Sequence, residues 1–183
     1  MRAVPADPFS GQTQAIFDAT GRFRYWWIRL WDPELPTVNF ILLNPSTADE
    51  HQIDPTVRRC LTFAARWGFG TVLLTNVFAY RSTDPRALYH VPDPIGPAGD
   101  EYLVRAAQEA HVRVAAWGVH GGLRARHDAV LHLLKAHPLT ALDATKDHFP
   151  KHPLYVRGDA RLAPYPYPRV PAAQGCGVLR VDS

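Results

Sequence analysis

Apolar residues gather in short runs separated by polar, proline- and glycine-rich stretches, and the spacing inside each run predicts an element. Thr13 to Phe17 and Phe23 to Trp31 are strand-compatible and flank the turn-like Asp18-Ala19-Thr20-Gly21, which predicts a β-hairpin over residues 13–31. The tryptophans at 26, 27 and 31 cannot all share one strand face. Core packing is their expected role. Val38 to Leu43 is apolar except for Asn39 and ends in Asn44-Pro45-Ser46-Thr47, the pattern of a buried strand running into a loop. From Pro55 to Trp67, Val57, Cys60, Leu61 and Ala64 recur at helical spacing. Asp54 is placed as N-cap and Pro55 as first helical residue. Gly68 and Gly70 end that helix, and Thr71 to Ala79 supplies the next buried strand. Strand, loop, helix and strand in this order predict a right-handed parallel crossover.

Further along, Asp100 to Ala110 reads as a helix, Val112 to Trp117 as a third strand closed by Gly118, Leu123 to His137 as a helix and Leu139 to Ala144 as a short fourth strand. The tail from residue 160 to 183 interleaves Pro164, Pro166, Pro168 and Pro171 with Tyr165 and Tyr167, which favours extended chain over helix. The expectation is a single α/β domain over residues 1–183. Its core over about 38–156 is a three-layer α/β/α sandwich on a short parallel four-stranded sheet, with the N-terminal hairpin attached.

Length supports this, because 183 residues with 46% hydrophobic content enclose one sizeable core and not two. The apolar runs are strand-sized, far below the roughly 20 residues a membrane-spanning helix needs. Residues 1 to 10 contain no signal-peptide-like apolar core, so a cytoplasmic location is expected. Cys60 and Cys176 are too few for a disulfide framework or a cysteine metal site, and both read as ordinary thiols. His120, His127, His148 and His152 lack the spacing of a ligand set, so no metal and no other cofactor is expected. The charge of +3 permits contact with nucleic acid without demanding it. Among the twenty basic residues only Lys135, Lys146 and Lys151 are lysines. Arginine suits planar recognition of phosphates and base edges, and an arginine-rich composition also follows from genomic base composition.

Three segments share one grammar, an apolar strand followed by small or polar residues: Leu43 to Asp49, Leu74 to Arg81 and Ala116 to Gly122. A fourth, Lys151-His152-Pro153-Leu154-Tyr155, follows the last strand. In an open parallel sheet the carboxyl ends of the strands face one crevice, so the four are expected to converge there. Local alternatives stand beside a ligand role. Asn44-Pro45 also fits a strand-ending Asx turn, Asn76 a bond to a neighbouring loop, and Asp54 a plain helix cap. His120-Gly121-Gly122 suits either a phosphate or a simple turn. Tyr80-Arg81 suits stacking on a base with a phosphate contact, or a solvated loop.

The order and spacing of the four segments resemble the uracil-DNA glycosylase superfamily, and in particular a bacterial glycosylase-like branch of unknown function. Leu42-Leu43-Asn44-Pro45-Ser46 is similar to the Gly-x-Asn-Pro-Gly motif of its mismatch-specific members, with Leu42 and Ser46 where the motif has glycines. Asn76 matches an asparagine that reads a pyrimidine edge, Trp117-Gly118 a strand-ending Leu-Gly pair, and His152-Pro153 the start of a His-Pro-Ser-Pro motif whose second half is replaced by Leu154-Tyr155. The resemblance implies a DNA repair hydrolase, a monofunctional glycosylase acting on a deaminated or damaged base in duplex or single-stranded DNA. It places water positioning on Asn44 and stabilisation of the departing base on His152. Asp49 is the first carboxylate expected to assist, ahead of Asp54. Base contacts are expected from Asn76, Tyr80 and Pro45. Contacts to the nucleic-acid backbone are expected from Ser46, Arg81, Gly118, His120 and Lys151, and a wedge from Leu154. The rivals are a non-catalytic module binding single strands or nucleotides through Arg81, Arg124 and Arg126, and a nucleoside hydrolase using the same pocket.

Overall fold

A computed structural model describes residues 7–47 and 53–166. Asp49, Cys176 and the greater part of the proline-rich tail lie outside the described residues. Strands β1 (Gln12–Phe17) and β2 (Arg24–Leu30) run antiparallel. Their turn is held by Asp18, whose carboxylate accepts from the backbone N–H groups of Thr20 and Phe23, while Gly21 supplies the left-handed φ of 70°. A β-bulge shifts the register, so Ile16 opposes Trp26 and Phe17 opposes Arg24. Tyr25 and Trp26 consequently both contact Tyr102 on one side of the sheet, and Arg24 turns to the other.

Five further strands complete the sheet: β3 (Thr37–Leu42), β4 (Thr71–Asn76), β5 (Val112–Ala115), β6 (Leu139–Ala141) and β7 (Ala163–Tyr165). The order is β1-β2-β4-β3-β5-β6-β7. Neighbours pair in parallel from β4 through β3 and β5 to β6, and antiparallel at both flanks. The fold is therefore α/β on a mixed seven-stranded sheet, wider than a four-stranded one because the hairpin joins through β2 and part of the proline-rich tail adds β7. Pro164 sits in β7, at the sheet edge, where a missing N–H is tolerated.

Helix α1 (Pro55–Arg66) covers one face through Val57, Cys60, Leu61 and Ala64, packed on Val38, Phe40 and Leu42 of β3 and on Trp27 and Leu74. Asp54 caps it, its Oδ1 accepting from the Val57 N–H at 2.8 Å. Helices α2 (Gly99–Glu109) and α3 (Arg126–Leu133) cover the opposite face, where Leu103, Ala107, Val130 and Leu134 meet Ile41, Ala115 and Trp117. Helix α3 starts later than the apolar spacing predicts. Residues 119–125 form short 3-10 turns broken by a kink at Leu123 and Arg124, and Arg124 and Ala125 take left-handed φ values. Buried Arg126 pins that junction by donating to the Val77 carbonyl and pairing with Asp100. Trp26 and Trp27 are buried in the core, on opposite faces. Among the described residues, no helix is long and apolar enough to cross a membrane.

Candidate functional site

The carboxyl ends of β3 and β5 open into a cleft of about 630 Å³. That volume falls within the range of small-molecule sites. Leu42, Leu43 and Trp117 form its apolar floor, and Asn44, Thr56, His120, Lys151 and His152 bring polar atoms to its walls.

Hydrogen bonds between loops hold these walls together. The Ser82 N–H donates to the Pro45 carbonyl at 2.9 Å, and the Asn44 Nδ2 donates to the Ser82 carbonyl at 2.8 Å and to the Pro45 carbonyl at 3.1 Å. The loop after β3 is thus tied to the segment after β4. Asn44 spends its donor on this tie, and its Oδ1 makes no hydrogen bond to the described residues. On the far side the Gly118 N–H donates to the Pro150 carbonyl at 2.8 Å. Arg59 of α1 donates to the carbonyls of Pro153 and Val156, anchoring the His152 segment to the helix.

His152 precedes the short 3-10 turn Pro153–Tyr155, and its Nδ1 accepts from the Leu154 N–H at 3.3 Å. This bond fixes the neutral tautomer with hydrogen on Nε2. Burial pushes the His152 pKa below the ordinary histidine value, and the nearby Asp54 carboxylate only partly opposes it. The ring is therefore a neutral donor at pH 7. Lys151 pairs with Asp143, which lowers the Asp143 pKa, and His120 shares a 3.2 Å hydrogen bond with the Tyr89 hydroxyl. Gly118 has φ near 72° and open space where a Cβ would project, so a bare, flat stretch of backbone borders the cleft.

Of the residues expected from sequence, Asn44, Gly118, His120, Lys151 and His152 line this cleft. Others do not reach it. Pro45 is buried within the loop tie, and Ser46 donates to Asp54 at 3.1 Å. Tyr80 packs edge-on against Phe23 instead of standing free to stack on a base. Arg81 lies over Phe17 and donates to the Gly21 and Thr47 carbonyls, so it is committed to holding loops together and not to a phosphate. Asn76 is buried on the α1 side beside Leu42, behind the floor. Leu154 is exposed on the 3-10 turn that follows His152. The arginines of the non-catalytic alternative are occupied as well: Arg124 donates to the Val91 and Pro92 carbonyls, and Arg126 is buried.

Residues 24–154 match the family described as Protein of unknown function (DUF1643). The chain belongs to this family. In this DUF1643 chain the matched span runs from Arg24 at the start of β2 to Leu154 just after His152, so it takes in every residue that lines the cleft except Tyr155. No curated protein and no solved structure matches the chain.

Sequence reasoning passed over Thr56, Thr83 and Thr145, which add hydroxyl groups to the cleft. No local pattern distinguishes them from surface threonines. It also passed over Arg24, a charge set inside the aromatic run Phe23-Arg24-Tyr25-Trp26-Trp27, where the signal was legible. Among the described residues, no group of three or more His, Cys, Asp or Glu side chains is placed to hold a metal ion.

Proposed function

We propose that the cleft receives a flat nucleobase and that the protein processes bases in DNA, as a monofunctional glycosylase that hydrolyses the N-glycosidic bond of a deaminated or damaged base. The observation that carries this reading is that Asn44 and His152, far apart in the chain, border one cleft with an apolar floor. The parallel run β4-β3-β5-β6, with helices on both faces, supports the finer reading of the fold as a glycosylase-like three-layer sandwich.

The chemistry follows from which atoms are tied and which are open. Asn44 has its Nδ2 fixed by two carbonyls and its Oδ1 unengaged by the described residues, so it accepts a hydrogen bond from a water and aims the water oxygen at the anomeric carbon. As the C–N bond breaks, its electron pair moves onto the base, and the Nε2–H of neutral His152 donates to the base oxygen on which charge collects. A donor aimed at developing negative charge lowers a barrier by about 3 to 4 kcal/mol. Asp54, whose charge already acts on His152, offsets positive charge on the sugar. Water then bonds to the anomeric carbon and releases its proton to solvent. Leu154 and Tyr155, exposed beside His152, suit contact with an opened duplex.

Purified protein should be incubated with single- and double-stranded oligonucleotides carrying uracil, hypoxanthine, xanthine or an oxidised base, and abasic sites counted. His152→Asn keeps an acceptor near the Leu154 N–H while losing the ring donor. It should lower turnover on the order of a hundred-fold or more, with Tm nearly unchanged. Asn44→Ala should also abolish turnover, with some loss of Tm because the tie to Ser82 goes with it. Absence of abasic sites on every substrate, in both strand states, would remove the enzymatic claim.

A further inference from the structure

The adjoining ends of β2 and β4 carry hydrogen-bonding capacity that goes unused among the described residues. Arg24 is 6% exposed, and its Nε is sealed from solvent with no hydrogen-bond partner. Asn76 is 4% exposed, and both its Nδ2 and its Oδ1 are buried without partners. Both side chains belong to the α1 side. Asn76 continues the alternation of Val72 and Leu74, which pack with α1, and Arg24 senses the charge of the α1 cap Asp54.

The Asp54 charge compensates Arg24 only in part and without contact. The Asp54 carboxylate oxygens are taken by the Ser46 hydroxyl and the Val57 N–H, and no ion pair joins Asp54 to Arg24. Arg81 adds a second positive charge close enough to disfavour the charged form of Arg24. Burial, the larger cause, lowers the Arg24 pKa to about 10, so the guanidinium stays charged at neutral pH. A buried charge without an ion-pair or hydrogen-bond partner among the described residues, beside an amide with neither end satisfied there, is strongly destabilising unless a ligand completes it. Leu42, the cross-strand neighbour of Asn76, lines the cleft, so Asn76 lies one strand away from it.

We propose that Arg24 and Asn76 form a subsite for a hydrogen-bearing oxyanion, the phosphate monoester or hydrogenphosphate group of a small ligand. The guanidinium and the Asn76 Nδ2 donate to oxyanion oxygens, and the Asn76 Oδ1 accepts from the P–OH. A carboxylate has no hydrogen to offer that acceptor, and a neutral base brings no charge to balance Arg24. This subsite goes beyond the base-processing reading and stands whether or not that reading holds.

The test is thermal unfolding of the full chain at constant ionic strength, titrated separately with inorganic phosphate, acetate and free uracil. Phosphate is expected to raise Tm saturably by a few degrees, and acetate and uracil to leave it unchanged. In Arg24→Met the phosphate response should vanish while Tm without phosphate equals or exceeds that of the wild type, because removing a buried and only partly compensated charge relieves the fold. Asn76→Leu should weaken the phosphate response without lowering the basal Tm. A wild-type protein indifferent to phosphate, an equal response to acetate or uracil, or a response surviving in Arg24→Met would overturn the proposal. So would a basal Tm several degrees lower in both variants, since that would make the two side chains structural.

Discussion

Two buried amides on adjacent parallel strands have opposite fates. Asn39, in the middle of β3, donates its Nδ2 to the Thr75 hydroxyl at 3.1 Å and to the Leu73 carbonyl at 3.4 Å, and its Oδ1 accepts from the same hydroxyl. Asn76, at the carboxyl end of β4, satisfies neither of its ends. One amide is structural glue and the other is capacity held in reserve, and position along the strands separates them. In the middle of β3 the fold supplies partners for both ends of the Asn39 amide. At the carboxyl ends of the parallel strands the described residues leave Asn44 Oδ1, both ends of Asn76 and the Arg24 Nε without a partner.

The sharpest way to break this contrast is to remove each amide. Asn39→Ala should destabilise the protein by about 1 to 3 kcal/mol in denaturant unfolding, since it strips the buried Thr75 hydroxyl of its partner and leaves a void. Asn76→Leu, similar in volume and leaving no bond broken, should be neutral or stabilising by up to about 1 kcal/mol. Equal losses in the two variants would mean that Asn76 has a structural partner, and the distinction between centre and end would collapse.

Asp54 lies between these behaviours, because it caps α1 and also places charge near Arg24 and His152. Asp54→Ala should cost about 1 kcal/mol through the lost cap, whereas Asp54→Asn, which keeps a capping oxygen, should cost a fraction of that. If the two variants lost the same stability, charge and not capping would be the structural contribution of Asp54.

The elements were legible in the chain wherever one periodicity dominated. Helix α1 announced itself through Asp54-Pro55 and four apolar positions at helical spacing, and it begins where the cap predicts. Strands β3 and β4 were legible as apolar runs, β3 interrupted by Asn39 and β4 ending in Thr75-Asn76. The late start of α3 was not, because the tie from Arg126 to Val77 is a tertiary contact that overrides local spacing. Strand β7 was hidden because a proline-rich stretch reads as extended chain and its pairing depends on an edge left open by β6. The cleft was half legible. Strand ends predicted Asn44, Gly118, His120, Lys151 and His152, since a strand ending in a polar residue points to the crevice. The same logic led to Asn76, Tyr80 and Arg81, which do not line the cleft, because it ignores the face of the sheet and the contacts of the loop after β4. Asn76 points to the α1 side behind Leu42, Tyr80 packs with Phe23, and Arg81 is drawn back across Phe17.

The smallest expected effect concerns two histidines, and it separates the ends of the strands from the core once more. His127 accepts from the Trp117 Nε1–H at 3.1 Å under α3, and burial lowers its pKa with Asp128 partly opposing. His152 is lowered by burial with Asp54 partly opposing. For both groups the folded chain binds fewer protons than the unfolded chain between the lowered value and the ordinary histidine value of 6.5. Stability therefore rises with pH across that window and falls as the solution is acidified through it. Tm should drop modestly from pH 7 to pH 5, and the slope should diminish in His127→Asn and again in His152→Asn. Ring-proton NMR titrations then assign the partners. Asp54→Asn should move the His152 midpoint to lower pH and leave His127 where it was, while Asp128→Asn should do the reverse. A single shared shift in both variants would show that the two rings sense one common field, and that the cleft wall is not electrostatically distinct from the core behind it.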